Sequence, residues 1–264
     1  MITSTANETI KRIRKLRDRK FREESSSAYV EGIRIVVEAV EKTVDIERIV
    51  VAESFATTQR HSEVLEQILK KNLEILNVSD EVFRSLSLKD RPQGISAVVK
   101  QHWTSIEEID QRIKGLWVCL WEVADPGNLG TILRTMDAVD AKGLILAGNC
   151  TDPYDPSAIR ASMGAIFSKT LVKSTLEDLV NLIDRSHIFT VGTSDSASKN
   201  YRDIHYPRDM MLCMGSERQG LPQELGSICN ELVALPMLGS CDSLNLAVAT
   251  GVILYEILNQ VKNW

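Results

Sequence analysis

Residues 116–141 read LWVCLWEVADPGNLGTILRTMDAVDA: an apolar run, a turn and a helical pattern in direct succession. The run LWVCLWEV lacks polar alternation, as expected of a strand buried on both faces of a sheet. Pro126-Gly127 supplies the turn, and Asn128 is the expected cap of the helix that follows. In that helix Ile132, Leu133 and Met136 surround Arg134. The same order recurs downstream. Strands are expected at 143–148, 186–193, 209–215 and 231–237, with helices at 156–167, 175–186 and 244–260. Short apolar strands alternating with helices imply an α/β fold with a mostly parallel sheet covered on both faces. Ligands of such sheets gather at the loops beyond the carboxyl ends of the strands.

Working back from residue 116, TSIEEIDQRIKG is polar and acidic, so residues 101–115 read as a linker or surface helix. Residues 1–100 then form a separate small domain and 116–264 a second one. In the first, a basic helix breaks at Ser25-Ser26-Ser27. YVEGIRIVVEAVEK then places Ile33, Val36, Val37 and Val40 on one helical face. ERIVVAES and GISAVVKQH are strand candidates, and LEILNVSDEVFRSLS a strand with a short helix. HSEVLEQILKKN is a helix with Val64, Leu65, Ile68 and Leu69 facing inward.

The 264 residues are 44% hydrophobic and 25% charged, the balance of a folded globular chain. That excludes a disordered or collagen-like protein. No stretch approaches the roughly 18 apolar residues of a membrane span, and MITSTANETIKRIRKLRDRK lacks the apolar core of a secretory signal. The five cysteines, Cys119, Cys150, Cys213, Cys229 and Cys241, are odd in number and none form CxxC. A zinc site or disulfide framework is therefore not expected, and a reducing, cytoplasmic setting is.

The formal charge of −5 conceals an asymmetry. Residues 1–22 carry Lys11, Arg12, Arg14, Lys15, Arg17, Arg19, Lys20 and Arg22 against Glu8 and Asp18, a net +6 that leaves −11 for the rest. A basic arm on an acidic body suits contact between the arm alone and a polyanion; a solvated charged helix is the other reading of this run.

Three loops carry polar residues where a parallel sheet would gather them. They are Ala124–Gly130, Met214–Pro222 and Pro236–Asn245. The second is glycine-bearing but is neither GxGxxG nor a Walker loop, which argues against a dinucleotide or nucleoside triphosphate. In the third, Ser243 or Asp242 is the expected cap of the last helix, with Asn245 in its first turn.

Asn128-x-Gly130-x-x-x-Arg134, Gly215-x-Glu217-x-x-Gly220, and Pro236-Met-x-Gly239 with Ser243-Leu244-Asn245 resemble, in order and spacing, the motifs of the SpoU (TrmH-like) RNA ribose 2′-O-methyltransferases. Arg160-Ala-Ser-Met-Gly-Ala165 resembles the stretch between the first two motifs. The basic helix and Glu31-Gly32 resemble the L30e-like RNA-binding domain of rRNA-directed members. The resemblance implies a trefoil-knotted (SPOUT-type) domain, preceded by a small L30e-like α/β domain, and a homodimer formed through the knot. It implies S-adenosylmethionine held mainly by backbone groups, with Thr193, Gly215, Leu235, Met237 and Leu244 lining the pocket. Arg134, Asn128, Glu217, Ser243 and Asn245 take the family's catalytic positions, and no metal is implied. An arginine stays charged near neutral pH. Arg134 is therefore read as a cation that binds the adjacent phosphate and stabilises the developing alkoxide. The substrate implied is RNA, 23S ribosomal RNA first. A tRNA-directed enzyme of the family, a non-catalytic RNA-binding protein and a generic nucleotide-binding α/β module remain open at this point.

Overall fold

The computed structural model describes residues 1–57, 61–110 and 113–262. The chain folds into two compact units: Met1–Gln101 with Asp152–Phe167, and His102–Thr151 with Ser168–Trp264.

The first unit holds α1 (Glu8–Lys15), α2 (Arg19–Ser25), β1 (Ser27–Glu31), α3 (Ile33–Glu41), β2 (Ile46–Ala52), α4 (Glu53–Thr57), α5 (Ser62–Leu69), β3 (Ile75–Val78), α6 (Asp80–Leu86) and β4 (Ile95–Lys100). Its sheet runs β1-β4-β2-β3, with β4 antiparallel to both neighbours and β2 parallel to β3. Asn7 caps α1 and Asp18 caps α2, each accepting a backbone N–H of the first turn. The inward face of α3 is Ile35, Val36, Ala39 and Val40, rotated from the expected one because Tyr29–Glu31 belong to a strand and the helix starts only at Ile33. Leu69, expected inward, is 60% exposed at the last turn of α5.

The second unit holds α7 (Ile106–Asp110), β5 (Leu116–Trp121), α8 (Pro126–Ala138), β6 (Gly143–Ala147), β7 (Thr170–Ser174), α10 (Leu176–Ser186), β8 (Phe189–Thr193), β9 (Lys199–Asn200), β10 (Met210–Met214), α11 (Gln223–Ile228), β11 (Glu231–Ala234) and α12 (Leu246–Lys262). The remaining helix, α9 (Pro156–Ser162), lies in the first unit. The seven strands run β7-β6-β5-β10-β8-β11-β9, and every registered pair is parallel. From β5 the chain builds outward to β7, crosses to β8, and returns to place β10 beside β5. Strand order therefore reverses between β5 and β10, where open parallel sheets bind ligands. Trp117 buries against Gly143 of β6; any side chain there would collide with the indole ring.

Two boundaries differ from the sequence reading. Residues 101–115, expected as a linker or surface helix, contribute the helix α7, but its Ile106 and Ile109 are 6% exposed in the sheet core beside Leu179 and Leu182. Its polar face is solvated and its apolar pair is only two residues, a signal too small to separate from a linker. Gln111 and Arg112, also in that stretch, lie outside the described residues, as do residues 263–264 of the second expected domain. The second difference is Asp152–Phe167, expected in the C-terminal domain and found in the first unit. The strands β7 and β9 were not expected. Both are short edge strands, and edges do not carry the continuous apolar run of a central strand.

Asp152–Phe167 is held by a buried ion pair. Arg22, 1% exposed, donates to Asp152 Oδ2 through Nε at 2.8 Å, and a second guanidinium nitrogen lies 2.7 Å from the same oxygen. Asp155 sits 3.6 Å away, and the third nitrogen donates to the Leu16 and Arg17 carbonyls. Removing one partner of a buried pair strands the other charge, at a cost of about 3–5 kcal/mol. Arg22→Ala should lower the unfolding free energy by about that amount in urea titration. The apolar pair Arg22→Met with Asp152→Leu should lose less than the single variant, because it strands no charge.

Candidate active site

Loops from the carboxyl ends of β5, β8, β10 and β11 converge at one edge of the second unit's sheet. Asp125 opens α8, accepting the Asn128 N–H at 2.6 Å with Pro126 following it. Asp125, not Asn128, is thus the cap. Asp-Pro at a helix start was the available signal, since proline favours the first helical position. The Asn128 side chain is left free to reach outward. Its Nδ2 donates to Glu217 Oε1 at 2.9 Å, and its Oδ1 accepts from Asn245 Nδ2 at 2.9 Å. Asn245 Oδ1 in turn accepts the N–H groups of Ala247 and Val248, at 2.9 and 3.3 Å. The cap of α12 is therefore Asn245, in place of the expected Ser243 or Asp242. Helix α12 begins only at Leu246, beyond both of those expected caps.

Two cavities meet at this chain of amides. The larger, about 1240 Å³, is lined by Thr193, Gly215, Leu235, Met237 and Leu244, all five expected pocket residues, and by Ser243. The smaller, about 690 Å³, is lined by Glu122, Ala124, Asp125, Asn128 and Ser216–Gln219 with Asn245. Ser216, Glu217, Arg218, Gln219 and Asn245 belong to both. Gly215 has to be glycine, because a Cβ would collide with the backbone of Gly220 and Leu221. Glu122 holds a left-handed φ of 49° at the end of β5. Glu122 and Arg218 were not singled out from sequence, and neither matches a residue pattern that marks a site.

Arg134 is the expected residue the structure does not bring in. It is exposed on α8 and lines neither cavity. No group of three His, Cys, Asp or Glu that could hold a metal is present among the described residues. Nor is any described helix long and apolar enough to cross a membrane. Burial pushes the Cys150 thiol up to about 11. A hydrogen bond with Cys119, together with burial, raises Cys213 well above the usual thiol range. These thiols stay protonated at neutral pH and are poor nucleophiles.

The basic arm divides. Arg22 is buried in its ion pair and cannot meet a phosphate, which corrects its expected place among the RNA-contacting residues. Arg17 donates to the carbonyls of Ser85, Leu86 and Ser87, closing the end of α6. Arg14 donates to Ser85 Oγ and the Thr5 carbonyl. Lys11, Arg12, Lys15, Arg19 and Lys20 are exposed, although Arg19 is paired with Glu23, Lys11 with Glu8 and, more loosely, Lys20 with Glu24. Lys11, Arg12 and Lys15 line a cleft of about 500 Å³ with Phe21.

Residues 115–255 match the model of the SpoU rRNA methylase family. The chain belongs to that family. Residues 7–97 match an MRM3-like substrate binding domain. Among SpoU relatives, an uncharacterized tRNA/rRNA methyltransferase of Synechocystis is 30% identical over 98% of this chain and 93% of its own. A 23S rRNA (guanosine-2′-O-)-methyltransferase of Bordetella pertussis is 29% identical over 89% and 98%. The crystal structure of an AdoMet-bound rRNA methyltransferase from Sinorhizobium meliloti superposes with a TM-score of 0.88 at 33% identity, covering 97% of this chain and 96% of that one.

The Asn128 amide joins three loops far apart in sequence. Asn128→Ala deletes both its side-chain hydrogen bonds, worth about 1 kcal/mol each. Amide exchange at Ser216, Gly220 and Ala247 should accelerate by about tenfold or more in hydrogen-exchange mass spectrometry, with far smaller changes in β5 and β10.

Proposed function

We propose that the protein transfers a methyl group from S-adenosylmethionine to a ribose 2′-hydroxyl of RNA, with 23S ribosomal RNA as substrate. The observation that carries this reading is the Asn128–Glu217–Asn245 chain standing where two cavities meet, the larger with Leu235, Met237 and Leu244 in its mixed wall and the smaller lined by hydrogen-bonding side chains. The larger cavity suits the donor. Leu235, Met237 and Leu244 offer walls for a flat ring, and Gly215 allows close backbone approach. When bound, the donor supplies an already activated methyl group on a sulfonium. The chain's own task is then to align the hydroxyl and manage its proton.

In the smaller cavity Asn128 orients the ribose, and Glu217 holds Asn128 and the tip of its own loop. Asn245 completes the hydrogen-bonding wall there, and Ser243 adds a hydroxyl from the side of the larger cavity. Arg134 stabilises the developing alkoxide as a cation, while phosphate or water takes the proton. Its exposure on α8 fits a homodimer in which it serves the cavity of a second copy. The exposed Val248 and Tyr255 of α12, which packs on α8, offer the apolar surface for that pairing. We also infer a trefoil knot, supported by β10 inserting between β5 and β8 and by α12 returning onto α8. The compact first unit supports a ribosomal over a transfer RNA, with Lys11, Arg12, Lys15, Arg19 and Lys20 facing the phosphates, and the cytoplasm as the place of work.

Arg134→Ala should reduce methyl transfer by more than tenfold (about 1.4 kcal/mol of transition-state stabilisation) and leave donor binding by calorimetry intact. Mixing Arg134→Ala with Glu217→Ala protein should restore transfer that neither shows alone, since one site of the mixed dimer is whole. Absence of rescue would place Arg134 in its own copy's site. Changing Lys11, Arg12 and Lys15 together to Ala should flatten the salt dependence of RNA binding by a slope of about 2. An unchanged slope would return the arm to a solvated helix.

A further inference from the structure

Among the charged residues that line the two cavities, carboxylates outnumber cations. Asp195, Glu217 and Asp242 line the larger, and Glu122, Asp125 and Glu217 the smaller. Among the described lining residues Arg218 is the one cation, and it lines both cavities. A phosphodiester brought to the smaller cavity would meet three carboxylates at short range, a repulsion that a positive side chain has to offset.

The loop presents Arg218 in a defined place. Ser216 and Gly220 exchange backbone hydrogen bonds, N to O at 3.2 and 3.0 Å, and the Gln219 N–H donates to Ser216 Oγ at 3.2 Å. Its neighbour Glu217 is held by Asn128 at 2.9 Å. Three residues thus form a closed tip, and the Arg218 guanidinium is exposed, with no hydrogen bond or ion pair to a described residue. Apart from Ala124, the smaller cavity is lined by polar and charged residues, whose hydrogen-bonding groups suit a sugar-phosphate.

We infer that Arg218 is the substrate-anchoring residue of the site: its planar fork grips a backbone phosphate of the target nucleotide and sets the ribose hydroxyl beside Asn128. The inference rests on the methyltransferase reading and adds an anion contact that the resemblance does not assign. Arg134 and Arg218 then divide the work. Arg134 meets the developing alkoxide and the phosphate beside it, and Arg218 a further backbone phosphate that holds the RNA in place before transfer.

The test compares the full-length wild-type protein with Arg218→Ala and Arg218→Lys. The RNA probe is deproteinised 23S rRNA from cells lacking the gene, and donor uptake is followed by calorimetry with S-adenosylmethionine alone. Arg218→Ala should raise KM for RNA about tenfold or more and make the salt slope of RNA binding shallower by about 0.7–0.9, with donor affinity kept within about twofold. Arg218→Lys should recover the slope but only part of KM, because a point charge lacks the fork. Unaltered donor affinity also shows that the variants are folded. If Arg218→Ala leaves RNA affinity and slope unchanged, the proposal falls. If it weakens donor uptake instead, the anion it meets is the donor's carboxylate and the proposal falls as well. A wild-type protein that takes up no donor would sink the methyltransferase reading, while the RNA slope would still decide Arg218.

Discussion

The site depends on one side-chain amide. Asn128 donates to Glu217 and accepts from Asn245, residues 89 and 117 positions further along the chain. A primary amide is the shortest side chain that both donates and accepts at its tip through separate atoms. Aspartate could not donate to Glu217 and a hydroxyl could not span both partners. The arrangement costs little, because Asp125 already caps α8 and leaves the Asn128 side chain unused by its own helix. Asn245 has a double duty, since its oxygen caps α12 while its nitrogen joins the bridge. Fixing the bridge therefore also fixes where α12 begins.

Those loops can meet only because of the strand order. β5 and β10 are hydrogen-bonded neighbours, in register from Leu116 with Met210 to Leu120 with Met214. Their carboxyl ends, and the Asn128 and Gly215 loops, emerge side by side. β8 adjoins β10 and β11 adjoins β8, which adds Thr193 and then Leu235–Met237 to the same edge. Apolar strands such as MMLCM are buried over their whole length, which leaves polar groups and chemistry to the rim.

A positive charge in this chain has no single meaning. Within the N-terminal run, Arg22 is a buried structural cation, Arg17 a helix-end cap, and Lys11, Arg12 and Lys15 a solvent-facing cleft. Along the sequence they are the same chemistry. Burial and partners separate them: a guanidinium that satisfies backbone carbonyls and a carboxylate has no donors left for phosphate. By the same criterion Arg218, exposed beside carboxylates, stands apart.

Much was legible in the residues themselves. The continuous apolar runs at 116–121, 143–147 and 210–214 are strands because burial on both faces leaves a pattern with period one. The family resemblance of the motifs pointed to Thr193, Gly215, Leu235, Met237 and Leu244, which line the larger cavity, and to Asn128, Glu217 and Asn245, which line the smaller. Edge strands, the two buried isoleucines of α7 and the true caps were not, since each leaves only two or three residues of signal. What only the tertiary structure decided was pairing. It set which amide faces which carboxylate, put Asp152–Phe167 with the first unit, and left Arg134 outside both cavities. The physical reason is that local composition sets what a segment can bury, whereas contacts between segments a hundred residues apart depend on the order in which the sheet assembles them.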